Sequence, residues 1–282
     1  MNICIIVPFY NEADHLKKSI ESFIDQSYPL DKIILVDDHS TDNSLQIAKK
    51  YESNTIKIVQ TDARSERKPG KKVINAFNVG LKEIDIHQYD LLGKFDADIL
   101  LPDHYFEQMV NAFKKDHQLG ICSGLLYIRY NNKWIYEAIA DENKIRGPLK
   151  LYRVDCFKQI DGLRNGIGWD SVDQYLANYY QWTTSVLKQI KVKHLKPTGS
   201  GYSNQHAFEF GKSMYVMRYG LFISFLAISK LAFAKKSISF LIMAGKGYWF
   251  ACNKKVDKIV TSEEGKFIRQ YRLKAMKKRF LN

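Results

Sequence analysis

Residues 3–12 read Ile3-Cys4-Ile5-Ile6-Val7-Pro8-Phe9-Tyr10-Asn11-Glu12, an apolar, mostly β-branched run that breaks at a proline and ends in polar residues. An apolar run with no polar alternation predicts a strand covered on both faces, as in a parallel sheet. The unit repeats downstream. A helical pattern near Asp14–Gln26 leads to a strand at Lys32–Val36 and a helix near Asn43–Tyr51. Then come Ile56–Gln60, a helix near Val73–Glu83, Leu91–Phe95, and a helix near Asp103–Lys115. Alternation of this kind builds βαβ units, so the expected fold is α/β, a mostly parallel sheet flanked by helices. In such sheets ligands bind at the carboxyl ends of the strands. The residues least suited to a core fall there: Pro8–Glu12, Asp37–Asp42, and Asp96-Ala97-Asp98.

Beyond Gly120 the pattern loosens. A strand-like stretch at Ile121–Tyr130 and a mixed segment to Arg153 precede a glycine-containing loop at Asp161–Gly168. A helix is expected near Asp173–Ile190, then a short strand at Lys191–His194 and a turn at Pro197–Gly201. The chain shows neither internal repeats nor a low-complexity linker.

The 282 residues, 45% hydrophobic and 26% charged, exclude a disordered chain and suffice for one large α/β domain with an appended segment. Four well-separated cysteines, Cys4, Cys122, Cys156 and Cys252, form no CxxC pair, so we expect reduced thiols in a cytoplasmic setting. The apolar strand at Ile3–Val7 leaves no room for a basic leader, which predicts a protein that is not exported. The net charge of +13 is concentrated late in the chain: residues 191–282 hold 19 Lys and Arg against four Asp and Glu. Apolar stretches at Leu221–Ile228 and Ser237–Ala244 alternate with lysines in this tail. The longest uncharged runs, Tyr219–Ser229 and Ser237–Gly245, fall short of the roughly 18 residues a bilayer span needs. A helical, basic segment lying on an anionic membrane surface is one expectation. A helical pack with a basic outer face is the other.

Asp96 and Asp98 leave a strand end two residues apart, with only Ala97 between them. Carboxylates so placed suit a hard cation such as Mn²⁺ or Mg²⁺ that keeps positions open for phosphate and acts on a leaving group as a Lewis acid. A solvated loop or a helix cap is the plainer reading of this triplet taken alone. Asp37 and Asp38 end another strand ahead of the capping residues Ser40, Thr41 and Asp42, and adjacent carboxylates exceed what a cap requires. One of them suits the imide hydrogen of a uracil, or a ribose. Lys72, at the end of a basic run from Arg64, opens a helix where phosphate contacts are favoured; a solvated charge run is the alternative.

Taken together, Pro8–Glu12, Val36–Asp42 and Asp96–Asp98, in this order and spacing, resemble the family 2 glycosyltransferases of the GT-A fold. The resemblance covers about residues 1–200. It implies a GT-A catalytic domain over 1–205, with a nucleotide-binding half at 1–120 and an acceptor-binding half at 121–205, and a basic tail at 206–282. It implies that Pro8, Tyr10, Glu12, Asp37, Asp38, Lys72 and Asp96 hold the nucleotide, with Asp38 and Asp37 on uracil and ribose and Asp96 on the ribose side. Asp98 is implied as the metal ligand, assisted by Asp96. His194 lies where several GT-A enzymes place a third metal or phosphate contact, although a lone histidine at a strand end also serves structure alone. Gly168-Trp169-Asp170 resembles the family's acidic motif, with Trp182 twelve positions after Asp170. That register implies Asp170 as the general base of an inverting transfer. Trp169 stands in place of the usual Glu and Gln181 in place of the usual Gly, which keeps Asp173 as a competitor. Trp169 suits stacking on an acceptor sugar or burial beside the base.

The expected activity is transfer of a sugar from a nucleotide diphosphate, UDP by expectation, to a hydroxyl of a glycan or lipid-linked acceptor. Two other readings compete. Nucleotidyl transfer usually brings a Gly-rich basic loop after the first strand, which Pro8–Glu12 is not. Nucleic-acid binding by the tail is opposed by the slightly acidic first 190 residues, so no nucleic-acid partner is expected.

Overall fold

The structure, a computed structural model, describes residues 1–62, 72–139, 141–197 and 204–281, the last four without their side chains. The basic run before Lys72 and the turn from Thr198 to Gly201 lie outside the described residues. Contacts divide the chain into two compact units: residues 1–62, 72–163 and 180–197 form the first, and residues 164–179 and 204–281 the second.

The first unit is built on one sheet. Strands β1 (Ile3–Phe9), β2 (Lys32–Asp37), β3 (Ile56–Gln60) and β4 (Leu91–Phe95) alternate with helices α1 (Leu16–Ile24), α2 (Ser44–Lys49) and α3 (Lys72–Leu81). β5 (Ile99–Leu100), α4 (Tyr105–Lys115), β6 (Leu119–Tyr130), β7 (Lys133–Tyr136), β8 (Leu149–Arg153), α5 (Val154–Gln159) and, after α6 of the second unit, β9 (Thr183–His194) complete it. The strand order is β3-β2-β1-β4-β8-β6-β9-β5, with β7 beside β6. β3, β2, β1 and β4 are mutually parallel, as the alternation predicts. The other half is mixed: β8 runs antiparallel to both β4 and β6, while β9 is parallel to β6. The term "mostly parallel" therefore describes the first half of the sheet only.

The two-residue period of the strands sorts side chains between the faces. Ile3, Ile5 and Val7 of β1 and Ile33 and Leu35 of β2 join Leu16, Ile20, Phe23, Phe106 and Met109 of α1 and α4 in one core. Ile6, Ile34 and Val36 point the other way, where α3 lies so close that a Cβ on Gly80 would stand 2.7 Å from Ile6. Phe95, at the end of β4, meets Phe23, Tyr105 and Phe106 edge-on with ring centroids 5.6–5.9 Å apart. Each such ring contributes roughly 1.5–3 kcal/mol by leaving water.

The helix expected over 173–190 is shorter and earlier. α6 covers Trp169–Tyr179, and the following residues enter the long strand β9. Two local facts cause the change. Gln181 takes φ +67, which no helix continues through, and Thr183, Thr184 and Val186 are β-branched and favour the pleated surface.

In the second unit, α6 packs with α10 (Ser262–Leu281). Arg272 donates to the Tyr175 hydroxyl, which lies 3.0 Å from the Tyr219 hydroxyl. Thr261 and Glu264 form a reciprocal capping box at the start of α10, each accepting the other's backbone N–H. Helices α7 (Asn204–Val216), α8 (Gly220–Ala234) and α9 (Ile238–Asn253) share a small core of Ala207, Ile228, Ala232, Phe240 and Ala244.

Candidate active site

The carboxyl ends of β1, β2 and β4 face one way because these strands are parallel, and the loops leaving them are tied together. The Asn11 side-chain oxygen accepts the Thr41 N–H at 2.8 Å, Ser40 Oγ accepts the Asn11 N–H, and Ser44 Oγ accepts the Glu12 N–H at 2.8 Å. Asp42 accepts from Ser44 and from the Ala13 N–H; partial burial opposes it, but these donors outweigh that and lower its carboxyl pKa. Asn11 and His39 both take positive φ, near +53 and +59, so each loop turns sharply straight after its strand. Asparagine tolerates that region better than most residues.

The tied loops surround a cavity lined by Pro8, Tyr10, Glu12, Asp38, Lys72, Asp96 and Asp98, with Val73, Ala76 and Ala97. Seven residues singled out in the sequence thus come from three strand ends and one helix start into one hollow. Asp38 accepts the Thr61 hydroxyl at 2.9 Å on one oxygen; the other has no partner among the described residues. Lys72 lies 5.1 Å over the Tyr10 ring, a cation–π contact that holds an ammonium at the cavity wall.

The two aspartates of the triplet differ. Asp96 is paired with Lys94, whose side chain is 2% exposed in the middle of β4 and also donates to the Gly147 carbonyl. Asp98 is instead 3.6 Å from His194 Nε2, because β5 pairs with β9 and sets Ile99 beside His194. The other ring nitrogen of His194 is 3.2 Å from Glu137, which Arg146 meets at 3.3 Å. Burial alone would lower the His194 pKa, but the carboxylates of Asp98 and Glu137 outweigh it and raise it to about 9. Glu12 is paired with Lys196 at 2.7 Å, and burial raises its carboxyl pKa against that pairing.

Three of the expected site residues have close partners of their own. Asp37 does not line the cavity; it is fully buried, with one oxygen accepting the Ser40 N–H and the other Gln60 Nε2, so it shapes the loop. His194 has a carboxylate at each ring nitrogen, Asp98 at 3.6 Å from Nε2 and Glu137 at 3.2 Å from Nδ1. Asp96 pairs with Lys94, and Asp98 has the His194 ring at 3.6 Å. Among the described residues no three His, Cys, Asp or Glu side chains are grouped to hold a metal unaided.

Asp170 and Asp173 stand in the second unit, in the first turns of α6. Asp170 is half-buried; Asp173 is 1% exposed and accepts the Gln174 N–H. Trp169 is buried. Trp182, in the first unit, donates its indole N–H to Gln159 at 2.7 Å.

Lys94 escaped the sequence reading, although a lysine inside the apolar run Leu91–Phe95 is itself the signal of a buried pair. Thr61 had the same strand-end position as the chosen aspartates. Glu137, fifty-seven residues from His194, carried no local signal.

Comparison with known proteins gives a consistent picture. The profile described as Glycosyl transferase family 2 matches residues 4–166, more than half of the chain. The poly-beta-1,6-N-acetyl-D-glucosamine synthase of Staphylococcus epidermidis is 30% identical over 128 residues, which is 45% of this chain and 29% of the synthase. The match thus spans less than a third of that relative's length. The structure is similar to that of S. aureus TarS 1–349 in complex with UDP-GlcNAc, with a TM-score of 0.56 and 21% identity over 77% of this chain and 67% of that one. It is also similar to the mannosyltransferase PcManGT from Pyrobaculum calidifontis in complex with GDP-Man and Mn²⁺, with a TM-score of 0.55 and 17% identity over 98% and 80% of the two chains. At these identities the two likenesses show a common fold.

Proposed function

This chain belongs to glycosyl transferase family 2, and from that premise we propose that it moves a sugar from a nucleoside diphosphate, UDP in our reading, to an acceptor hydroxyl with inversion. The observation that carries the proposal is the meeting of Asp38, Asp96 and Asp98 with Pro8, Tyr10 and Lys72 around one cavity. TarS and PcManGT bind nucleotide sugars on the same fold, which supports a donor of that class here.

Asp38, braced by Thr61, accepts the imide hydrogen of the base. Asp37 holds the loop that presents it. Asp96, already neutralised by Lys94, accepts from a ribose hydroxyl rather than serving as the main metal ligand. Asp98 fits a divalent cation of the Mn²⁺ or Mg²⁺ type, since such ions take one or two carboxylates and complete their shell with substrate phosphate and water. The cation, when bound, offsets charge on the departing diphosphate. His194, held at its other ring nitrogen by Glu137, stands beside Asp98 as the third contact for the metal or phosphate. Lys72 adds a positive charge for the diphosphate.

Asp170 is the proposed base. It takes the proton of the acceptor hydroxyl as that oxygen attacks the anomeric carbon opposite the leaving nucleotide. The half-exposed Asp170 is accessible to a hydroxyl, whereas Asp173 is buried and spends an oxygen on Gln174. We read the acceptor as a glycan or lipid-linked sugar and place the enzyme peripherally at the cytoplasmic face of a membrane. Three of the four cysteines are buried and no disulfide joins any of them, which suits a reducing compartment.

The test is a donor panel of UDP- and GDP-sugars, followed by release of the nucleotide with Mn²⁺ and with chelator. Cation-dependent release of UDP is expected. Release of no nucleotide from any donor, with no stabilisation by any nucleotide diphosphate, contradicts the proposal.

A further inference from the structure

Helices α8 and α9 are packed inside out. Apart from Phe240, which fills the small core, their inward residues are small or medium: Ile223, Ser224, Ile228 and Ala232 on α8, and Ala244, Gly247 and Ala251 on α9. A Cβ on Gly211 of α7 would fall 1.7 Å from the Ala244 carbonyl oxygen, and one on Gly247 would fall 1.9 Å from that of Phe208. α7 and α9 thus meet backbone to backbone. Six large apolar side chains point outward instead: Leu221 is 73% exposed, Phe222 65%, Phe225 62%, Phe233 88%, Ile238 76% and Trp249 66%.

Phe222, Phe225, Ser229 and Phe233 follow a spacing of three and four, and so do Ile238, Ile242, Gly245 and Trp249. Each helix therefore carries one outward apolar stripe. Small residues between helices and large ones outside is the arrangement of helices solvated by lipid, where apolar side chains gain nothing by hiding from their surroundings. A folded chain in water seldom leaves this many large apolar side chains exposed on two neighbouring helices.

Charge selects the partner. Residues 210–256 contain eight Lys and Arg and no Asp or Glu. Lys230, Lys236, Lys246 and Lys254 are exposed beside the stripes. A second copy of the same face would bring like charges together, and an aqueous polyanion would leave the aromatic rings wet. Fifteen and sixteen residues make helices of roughly 22 and 24 Å, short of the ~30 Å hydrocarbon core. Among the described residues no helix is long and apolar enough to cross a membrane.

We propose that the outward stripes of α8 and α9 form a docking face for an anionic bilayer surface, with Phe222, Phe225, Phe233, Ile238 and Trp249 entering the acyl boundary while Lys230, Lys236 and Lys246 meet lipid headgroups. The inference rests on the peripheral-membrane reading above and supplies its surface. Polar-face lysines around a buried apolar face are the ordinary means by which helices lie in an interface.

The experiment is co-sedimentation of the full chain with vesicles of phosphatidylglycerol and phosphatidylcholine, and with phosphatidylcholine alone. Binding to the anionic vesicles is expected, weakened by salt. Phe222→Ser/Phe225→Ser/Trp249→Ser should lower the partition coefficient on the order of a hundredfold. Lys230→Glu/Lys236→Glu/Lys246→Glu should lower binding to anionic vesicles and remove its salt dependence. UDP-induced stabilisation with Mn²⁺ is measured in every variant and should match the parent, which confirms that the variants fold. A parent that binds vesicles without responding to UDP sinks the donor reading and leaves this one standing. The proposal is overturned by a parent that ignores anionic vesicles at low salt, or by variants that bind as the parent does. It is equally overturned by a solution dimer that the Phe222→Ser/Phe225→Ser/Trp249→Ser variant converts to monomer, which would assign the face to a second copy.

Discussion

Replacing Asp96 by Asn and, separately, Asp98 by Asn should have opposite consequences for folding and for ligand binding, although the two residues belong to one triplet. Lys94 is buried within β4, and Asp96 is its carboxylate partner. Asp96→Asn leaves that ammonium facing a neutral amide. Removing one partner of a buried ion pair costs about 3–5 kcal/mol. Asn still accepts a hydrogen bond, Gly147 still accepts one from Lys94, and Asp96 is 32% exposed, so the loss should be nearer ~2–3 kcal/mol. For a chain of this size that lowers the melting temperature by roughly 5–10 °C. Asp98→Asn leaves His194 its second carboxylate, Glu137, so its effect on folding should stay under about 1 kcal/mol. The same change should abolish cation-dependent stabilisation by UDP. Urea denaturation of both variants, repeated with UDP and Mn²⁺, reads the two effects separately. Adding Lys94→Met to Asp96→Asn should recover part of the lost stability, since the stranded charge is gone. Equal stability of the parent and Asp96→Asn, or a large loss in Asp98→Asn alone, would refute this division of labour.

Asp170→Asn should lower kcat by about a hundredfold or more with donor binding intact. Asp173→Asn should instead cost stability, about 1–3 kcal/mol, because a buried acceptor of the Gln174 N–H is altered; a silent Asp170→Asn beside an inactive, folded Asp173→Asn would exchange their roles. A thiol reagent should titrate one cysteine in the native protein, Cys252, and all four after unfolding. Burial accounts for the protection of Cys4, Cys122 and Cys156 and pushes the thiols of Cys4 and Cys122 up to about 12, so rapid native labelling of more than one thiol would count against the core. Gln181→Gly should raise stability by roughly 0.5–1 kcal/mol, since the residue sits at φ +67; calorimetry showing a loss would mean that its side chain makes a contact that matters more than the backbone strain.

The first half of the sheet was legible because burial on both faces writes itself as unbroken apolar runs, as in Ile3–Val7 and Ile33–Val36. Its parallel strand ends then told where to look, and Asp38, Asp96 and Asp98 do stand around one cavity. What the sequence hid was pairing. Nothing in Asp37-Asp38 says which carboxylate turns inward, because that follows from the positive φ of His39 and the reach of Gln60. Nothing near His194 points to Glu137, because β9 meets β6, the partner of β7, only in three dimensions. Much of β9 reads as helix in the sequence, since a mixed polar and apolar run such as Thr183–Ile190 satisfies either period and only the turn at Gln181 decides between them. In the tail the apolar runs were visible, but not that the large residues face outward. That orientation depends on Gly211 and Gly247 letting α7 and α9 touch through their backbones.

The central claim is that the strand-end cavity of the first unit binds a nucleoside diphosphate through Asp38 and, by way of a divalent cation, through Asp98. Calorimetric titration of UDP tests it directly, with Mn²⁺ and with chelator, into the parent, Asp38→Ala and Asp98→Asn. The account predicts binding that weakens by at least about tenfold in chelator, is weakened by Asp38→Ala under both conditions, and in Asp98→Asn no longer responds to the cation. UDP binding that is indifferent to both substitutions, or absent from the parent with Mn²⁺ present, would contradict it.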